Sequence, residues 1–200
     1  MNKFLSVARE HRLFPAFFLE WGTGIRCGEL LGLKWEDADL NKGYISIRRS
    51  LIKLKGGLDF SDPKTEKSRR TIPLPVEVVK ELRTWKIKQA EEKLFLGSAY
   101  QDSGLVICEA DGTPLAPRNF TRLFEKLLIE AELPKIRFHD LRHTHATMLL
   151  VLGEHPKVVQ ERLGHSTITM TLDTYSHVMP GLQEKASNKL SEILKIKNEN

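Results

Sequence analysis

Two hundred residues, 40% of them hydrophobic and 28% charged, are enough to bury roughly 70% of the unfolded surface around one core without staples. The formal net charge of +5 suits a polyanionic partner without requiring one. Cys27 and Cys108 form no CxxC pair, and the apolar stretch "LFPAFFLEWG" is interrupted by Pro15 and Glu20; this excludes a disulfide framework and a bilayer span there, and with no secretory leader in view a cytoplasmic protein is expected.

"LFPAFFLEWGTG" (13–24) reads as an apolar helix closed by glycines. "RCGELLGLKWEDADL" (26–40) predicts a second helix, with Leu30, Leu31 and Leu33 towards one face and acidic loop residues after it. "GYISIRRSLIKL" (43–54) is rich in β formers. The Gly-Gly and Asp-Pro breaks of "GGLDFSDPKTEKSRRTIPLP" (56–75), closing on the short strand "RRTIPL", predict a hairpin or a three-stranded sheet.

Residues 76–96 have a helical period and a heavily charged surface, and 98–105 read as a loop. "LVICEADGTPLAP" predicts a short strand, an Asp-Gly turn and a proline opening a helix over 117–131, with Phe120, Leu123, Phe124, Leu127 and Ala131 on one side. "FHDLRHTHATMLLVLG" (138–153) and "HPKVVQERLGH" (155–165) predict two helices ending in glycine. A last helix spans roughly 181–197, with Leu182, Ala186, Leu190 and Ile193 at helical spacing. The expected fold class is mainly α with a small antiparallel β-sheet, in one domain.

Four stretches hold residues that can carry chemistry. In "HDLRHTHAT", His139, Arg142 and His143 share a helical face. HxxxH can hold zinc, but Asp140 stands where a zinc protease has Glu, and Arg142 would repel a cation, so an anion site is favoured. In "TGIRCGELLGL", Arg26 can be solvated, cap a helix or reach a phosphate with its planar fork, and Glu29 can hold it. In "DPKTEKSRRTIPLP", Lys64, Lys67, Arg69 and Arg70 crowd a hairpin. They form either a solvated face or a grip on a nucleic-acid backbone, and one lysine can protonate a leaving group. In "LGHSTITMTLDTYSHV", Tyr175 can serve as a nucleophile, at a cost of about 4 kcal/mol at neutral pH unless arginines nearby lower it.

In the order Arg, Lys, His-x-x-Arg, His, Tyr, these stretches resemble the catalytic domain of the tyrosine recombinase family, the phage integrase group. The likeness rests on "GTGIRCGELLGLKWEDADL", "PKTEKSRRTIPLP", "FHDLRHTHATMLL" and "LGHSTITMTLDTYSHV" and runs from about residue 11 to 180. It implies that Arg26 and Arg142 clamp a scissile phosphate, that Lys64 (with Lys67 as the alternative) protonates the departing 5′ oxygen, and that His139 helps take the proton from the tyrosine. His165 would hydrogen-bond a phosphate oxygen. Tyr175 would attack, leaving a 3′-phosphotyrosine and a free 5′-hydroxyl. Glu29 and His143 would support these groups, and Lys67, Arg69 and Arg70 would grip DNA.

The resemblance further implies double-stranded DNA as partner, no metal and no cofactor. It implies a tetramer on DNA, joined through the helix after the tyrosine, and service to a phage or other mobile element. His177 is expected to be structural or solvent-facing, and the small residues 166–174 a tight, movable connection with a short helix between His165 and Tyr175. The core-binding and arm-binding domains that usually precede this domain are not in the sequence, so 1–200 is expected to be a single catalytic domain. The alternatives are type IB topoisomerase-like relaxation, a DNA-binding module without activity, and a metal nuclease built on His139, His143 and His145.

Overall fold

The structure, a computed structural model, describes residues 2–62, 69–175 and 182–196, with side chains described for all of these except 2, 170, 173–175, 182–186 and 195–196. The front of the chain holds three helices, α1 (Asn2–Ala8), α2 (Phe14–Thr23) and α3 (Cys27–Leu31). Five strands follow: β1 (Ala38–Asp39), β2 (Tyr44–Ile47), β3 (Ser50–Leu54), β4 (Gly57–Ser61) and β5 (Arg70–Pro73). The rest is helical: α4 (Val76–Leu96), α5 (Pro117–Glu130), α6 (Phe138–Val151), α7 (Pro156–Leu163), α8 (Ile168–Tyr175) and α9 (Leu182–Ile196). The expected fold class, mainly α with small antiparallel sheets, is the one observed.

A cluster of phenylalanines ties the front helices to the later ones. Phe17 of α2 stacks on Phe120 of α5, with ring centroids 4.9 Å apart. Phe4 of α1 meets Phe17 and Phe124 edge-on. Phe138, the first residue of α6, presents its edge to Phe120 and Phe124 at 5.0 and 5.4 Å. All five rings are almost fully buried, each stabilising the fold by about 2–3 kcal/mol through area alone. Anchoring Phe138 fixes the start of α6, and so the side chains that follow it. A second, smaller cluster of Ala146, Leu150, Val159 and Leu163 packs α7 on α6.

The sheets form as alternation dictates, but in two pieces. The order β1-β2-β5 is antiparallel, pairing Ile45 with Ile72 and Ile47 with Arg70. β3 and β4 form a separate hairpin. The single β-rich run expected over 43–54 is therefore two strands in two sheets. The predicted second helix is also shorter than its apolar pattern. It stops at Leu31; Gly32, its C-cap, lies so close to β3 that a Cβ there would stand 2.9 Å from the backbone nitrogen of Leu51, and Leu33 is buried beyond the helix end. No strand forms in "LVICEADG": Leu105 makes one isolated bridge to Lys34, and burial of 105–108 does the rest. The short helix expected between His165 and Tyr175 is α8, and it takes up most of the connection.

Candidate active site

The site is built on the C-terminal end of α7. Three arginines donate to three consecutive carbonyls there. Arg70 Nε bonds the Arg162 oxygen at 2.8 Å, Arg142 Nη2 the Leu163 oxygen at 2.7 Å, and Arg26 Nη2 the Gly164 oxygen at 3.1 Å. Carbonyls at a helix C-terminus have no partners within the helix and carry the negative end of its dipole, so cations settle there. Gly164 ends the helix in the left-handed conformation, φ 69°, which favours glycine. His165 comes directly after it.

Arg26 sits at the N-cap of α3. Glu29, three residues on, accepts from the Arg26 backbone N–H at 2.9 Å and from Arg26 Nη1 at 3.0 Å. The helix start and the guanidinium are thus fixed by one carboxylate. Burial alone would raise the Glu29 carboxyl. The Arg70 fork, followed by Arg26, outweighs burial and holds it below its ordinary value. The Arg26 side chain stays 40% exposed, open to an anion arriving from solvent.

Arg142 lies deeper, on α6, and is 2% exposed. Its Nη1 donates to the Gly24 carbonyl at 2.8 Å, just after α2. Under it Glu20 is fully buried, and neither carboxyl oxygen has a hydrogen-bond partner among the described residues. Burial raises the Glu20 carboxyl well above its ordinary value, with Arg142 pulling the other way.

The histidines gather around this cationic group. His139 meets His143 edge to face, ring centroids 4.9 Å apart. Burial, then His143, Arg142 and Arg26, lower the His139 pKa. His165 is pushed down to about 4 by burial first and then by Arg142, Arg26, His143 and Arg70. Both rings are therefore held towards the neutral form, in which imidazole can accept a proton or donate a single hydrogen bond. His165 Nδ1 lies 2.9 Å from the hydroxyl of Thr171, a fully buried residue of α8. If His165 is to donate from Nε2, that hydroxyl must donate to Nδ1.

Of the residues proposed from sequence, His139 and His165 thus each feel the charges of both Arg26 and Arg142. Tyr175 closes α8; its backbone is described and its side chain is not. Lys64, Lys67 and His177 lie outside the described residues. Arg69 is exposed and, with Lys157, lines a hollow beside Gly164 and His165. Arg70 was expected among the outward cations of the hairpin; its side chain is 7% exposed and turns inward onto Glu29. The reason is strand alternation: Arg70 shares a face with Ile72, which is fully buried. That alternation is the signal from which its direction can be read.

Three residues escaped the sequence reading: Glu20, Thr171 and Arg162. Arg162 reaches back from α7 to donate to the carbonyls of Gly22 at 2.7 Å and Pro73 at 3.1 Å, and to Nε2 of His145 at 3.2 Å. With both its ring nitrogens engaged, His145 faces Arg162 and the Trp21 carbonyl. Among the described residues no three His, Cys, Asp or Glu side chains gather as metal ligands do.

Comparison with known proteins extends this geometry. The profile of the phage integrase family matches residues 2–181. A tyrosine recombinase XerC-like protein of Caldanaerobacter subterraneus subsp. tengcongensis is 36% identical over 205 residues, covering 96% of this chain and 52% of that protein. The ICEBs1 integrase of Bacillus subtilis is 34% identical over 197 residues, covering 96% and 53% respectively. The chain therefore spans about half the length of these curated relatives. Among solved structures, the Tn1549 transposon integrase in complex with transposon right end DNA superposes with a TM-score of 0.83 at 26% identity, over 95% of this chain and 64% of that one. XerH recombinase in a post-cleavage complex with difH substrate gives 0.67 at 25% identity, over 93% and 50%.

Proposed function

This chain belongs to the phage integrase family of tyrosine recombinases, and on that premise we propose that residues 1–200 form a catalytic unit that cuts and rejoins DNA strands through a phosphotyrosine. One observation carries the proposal. Arg26 and Arg142, from two different helices, converge on the adjacent carbonyls of Gly164 and Leu163, at the base of the loop that bears His165. Two fixed guanidiniums with neutral imidazoles beside them suit a phosphodiester anion that gains charge as it is attacked.

In the proposed step the Tyr175 oxygen attacks phosphorus. The bond from phosphorus to the 5′ oxygen breaks, and a 3′-phosphotyrosine forms. The phenolic proton passes to His139, whose lowered pKa keeps it free to accept. Lys64, with Lys67 as the alternative, gives a proton to the departing 5′ oxygen. Arg26 and Arg142 hold the non-bridging oxygens, and His165 donates from Nε2 to one of them. Return attack by a 5′-hydroxyl reverses the sequence and joins the exchanged end. The ester energy is kept in the phosphotyrosine, so no nucleotide is consumed.

Double-stranded DNA is the proposed partner, by likeness to relatives solved on DNA, and integration or excision of a mobile element in the cytoplasm the proposed service. Arg69 is proposed as a backbone contact beside the site. Self-association into a tetramer on DNA is proposed through α9, where Leu190 and Ile193 of the expected stripe are 60% and 59% exposed and the neighbouring Leu194 63%; the side chains of Leu182 and Ala186 lie outside those described. Among the described residues no helix is long and apolar enough to cross a membrane.

A nicked suicide duplex, in which the released fragment is lost, tests the chemistry. The expected result is a protein–DNA adduct on a denaturing gel that is absent for Tyr175→Phe. Protein that binds attachment-site DNA yet forms no adduct overturns the proposal.

A further inference from the structure

We propose that Arg70 is a positioning residue for the phosphate clamp: it sets Arg26 by holding the Glu29 carboxylate and the end of α7, and it does not itself grip DNA. The inference rests on the proposed strand-transfer function and assigns a part to a residue outside the reacting set.

The geometry is specific. Arg70 donates from Nη1 and Nη2 to the two oxygens of Glu29, at 3.1 and 2.8 Å. The same two oxygens receive Arg26, one through its guanidinium and one through its backbone N–H. Glu29 is therefore gripped from both sides, and both side chains of the Arg70–Glu29 pair are almost wholly buried, at 7% and 8% exposure. The Nε of Arg70 meanwhile bonds the Arg162 carbonyl. Its guanidinium also packs against Gly164, where a Cβ would stand 2.9 Å from Nη1. Gly164 is the residue whose carbonyl takes the other end of Arg26. Arg70 thus touches both anchors of Arg26, the carboxylate and the turn.

Two consequences follow from charge and from connectivity. A single carboxylate shared by two guanidiniums leaves net positive charge at the site. Without Arg70, Glu29 would face Arg26 alone and neutralise it, weakening its pull on a phosphate. Arg70 is also the first residue of β5, so it joins the end of the segment that carries Lys64 and Lys67 to the end of the helix that presents His165. An arginine is suited to this: the bidentate fork fixes an orientation that a lysine ammonium cannot.

The test compares the full chain with Arg70→Met, Arg70→Lys and Arg69→Met, each checked for its thermal transition. DNA affinity is measured as a function of salt, and adduct formation on the suicide duplex is followed at saturating protein. Arg70→Met is expected to slow the saturated rate about 10- to 1,000-fold, with affinity and salt slope close to those of the unsubstituted chain. Arg70→Lys is expected to restore little of the rate. Arg69→Met is expected to lose affinity and about one unit of salt slope.

A second pair of variants guards against misfolding. In a Glu29→Gln background, removing Arg70 should cost far less rate than in the unsubstituted chain, because the carboxylate it holds is gone. Full additivity of the two substitutions overturns the inference. So does an Arg70→Met chain that loses a unit of salt slope and keeps its saturated rate, since that is the signature of a direct backbone contact. If the unsubstituted chain forms no Tyr175-dependent adduct, the proposed function falls and this inference with it; an adduct unaffected by Arg70→Met overturns the inference alone.

Discussion

Arg162 donates its Nε–H to Nε2 of His145 across 3.2 Å. A guanidinium only donates, so Nε2 carries no proton, and the ring proton sits on Nδ1, 2.8 Å from the Trp21 carbonyl that accepts it. A neutral histidine is thereby built into the wall behind the clamp, and burial, with Arg162 and Arg142 nearby, pushes its pKa down to about 4.

Stability should therefore fall in mild acid. Below pH 6.5 the unfolded chain takes up a proton that folded His145 refuses until about pH 4. Stability is lost as the pH drops through that window and levels off below it, by about 3 kcal/mol from this residue. His165 adds in the same direction. Urea midpoints between pH 7.5 and 4.5 should decline less steeply for His145→Gln. An equally steep decline would locate the sensitivity elsewhere.

Gly164→Ala should damage both fold and clamp. The left-handed backbone, φ 69°, costs about 1–3 kcal/mol for a side-chain-bearing residue, and the new Cβ would push on Arg70. Gly153 is a matched control, with φ 90° and open space around it. Gly153→Ala should lower the melting temperature and leave adduct formation intact. Equal effects of the two on adduct formation would count against a role for the α7 end in the clamp.

Thr171→Val removes the hydroxyl that sets the proton of His165. The expected loss in the saturated cleavage rate is about tenfold, since Nε2 is then free to lose its proton to Nδ1, while Thr171→Ser should retain most of the rate. A Val variant as fast as the unsubstituted chain would remove Thr171 from the mechanism.

Lys64 and Lys67 can be separated by chemistry. A duplex with sulfur in place of the departing 5′ oxygen needs little protonation, because a thiolate is a far better leaving group. Alanine at the true general acid should slow cleavage of ordinary DNA about 100-fold or more and be rescued by the sulfur substrate. If neither alanine variant is rescued, both lysines lose the assignment.

Substituting serine at Leu190, Ile193 and Leu194 together should reduce assembly on DNA, read by sedimentation with a full site, and leave the melting temperature unchanged, because the three side chains are exposed in the single chain. Unchanged assembly would free α9 from the interface.

How far the molecule was legible in its sequence varied by residue. Helix α4 was found to its ends, since Val78, Leu82, Trp85 and Gln89 repeat at helical spacing. α3 was overrun, because nothing in "GELLGL" reveals that the backbone of β3 crosses at Gly32. Arg26, His139, Arg142 and His165 stand out in the sequence by motif order, and in the fold both histidines sit in the field of the two arginines. Arg70 was misdirected by its company of like charges, although its spacing from Ile72 pointed inward. Glu20 could not have been found: a buried carboxyl without a partner leaves no trace in sequence.

The arginines of this site bind not to side chains of α7 but to oxygens of its main chain, those of Arg162, Leu163 and Gly164. A main-chain oxygen is the same whatever residue bears it. A replacement along that turn therefore reaches the clamp through the path of the backbone, as Gly164→Ala would, and not through loss of an acceptor side chain. Exposed positions of α7, Val158 among them, can accordingly be replaced while the three arginines keep their acceptors.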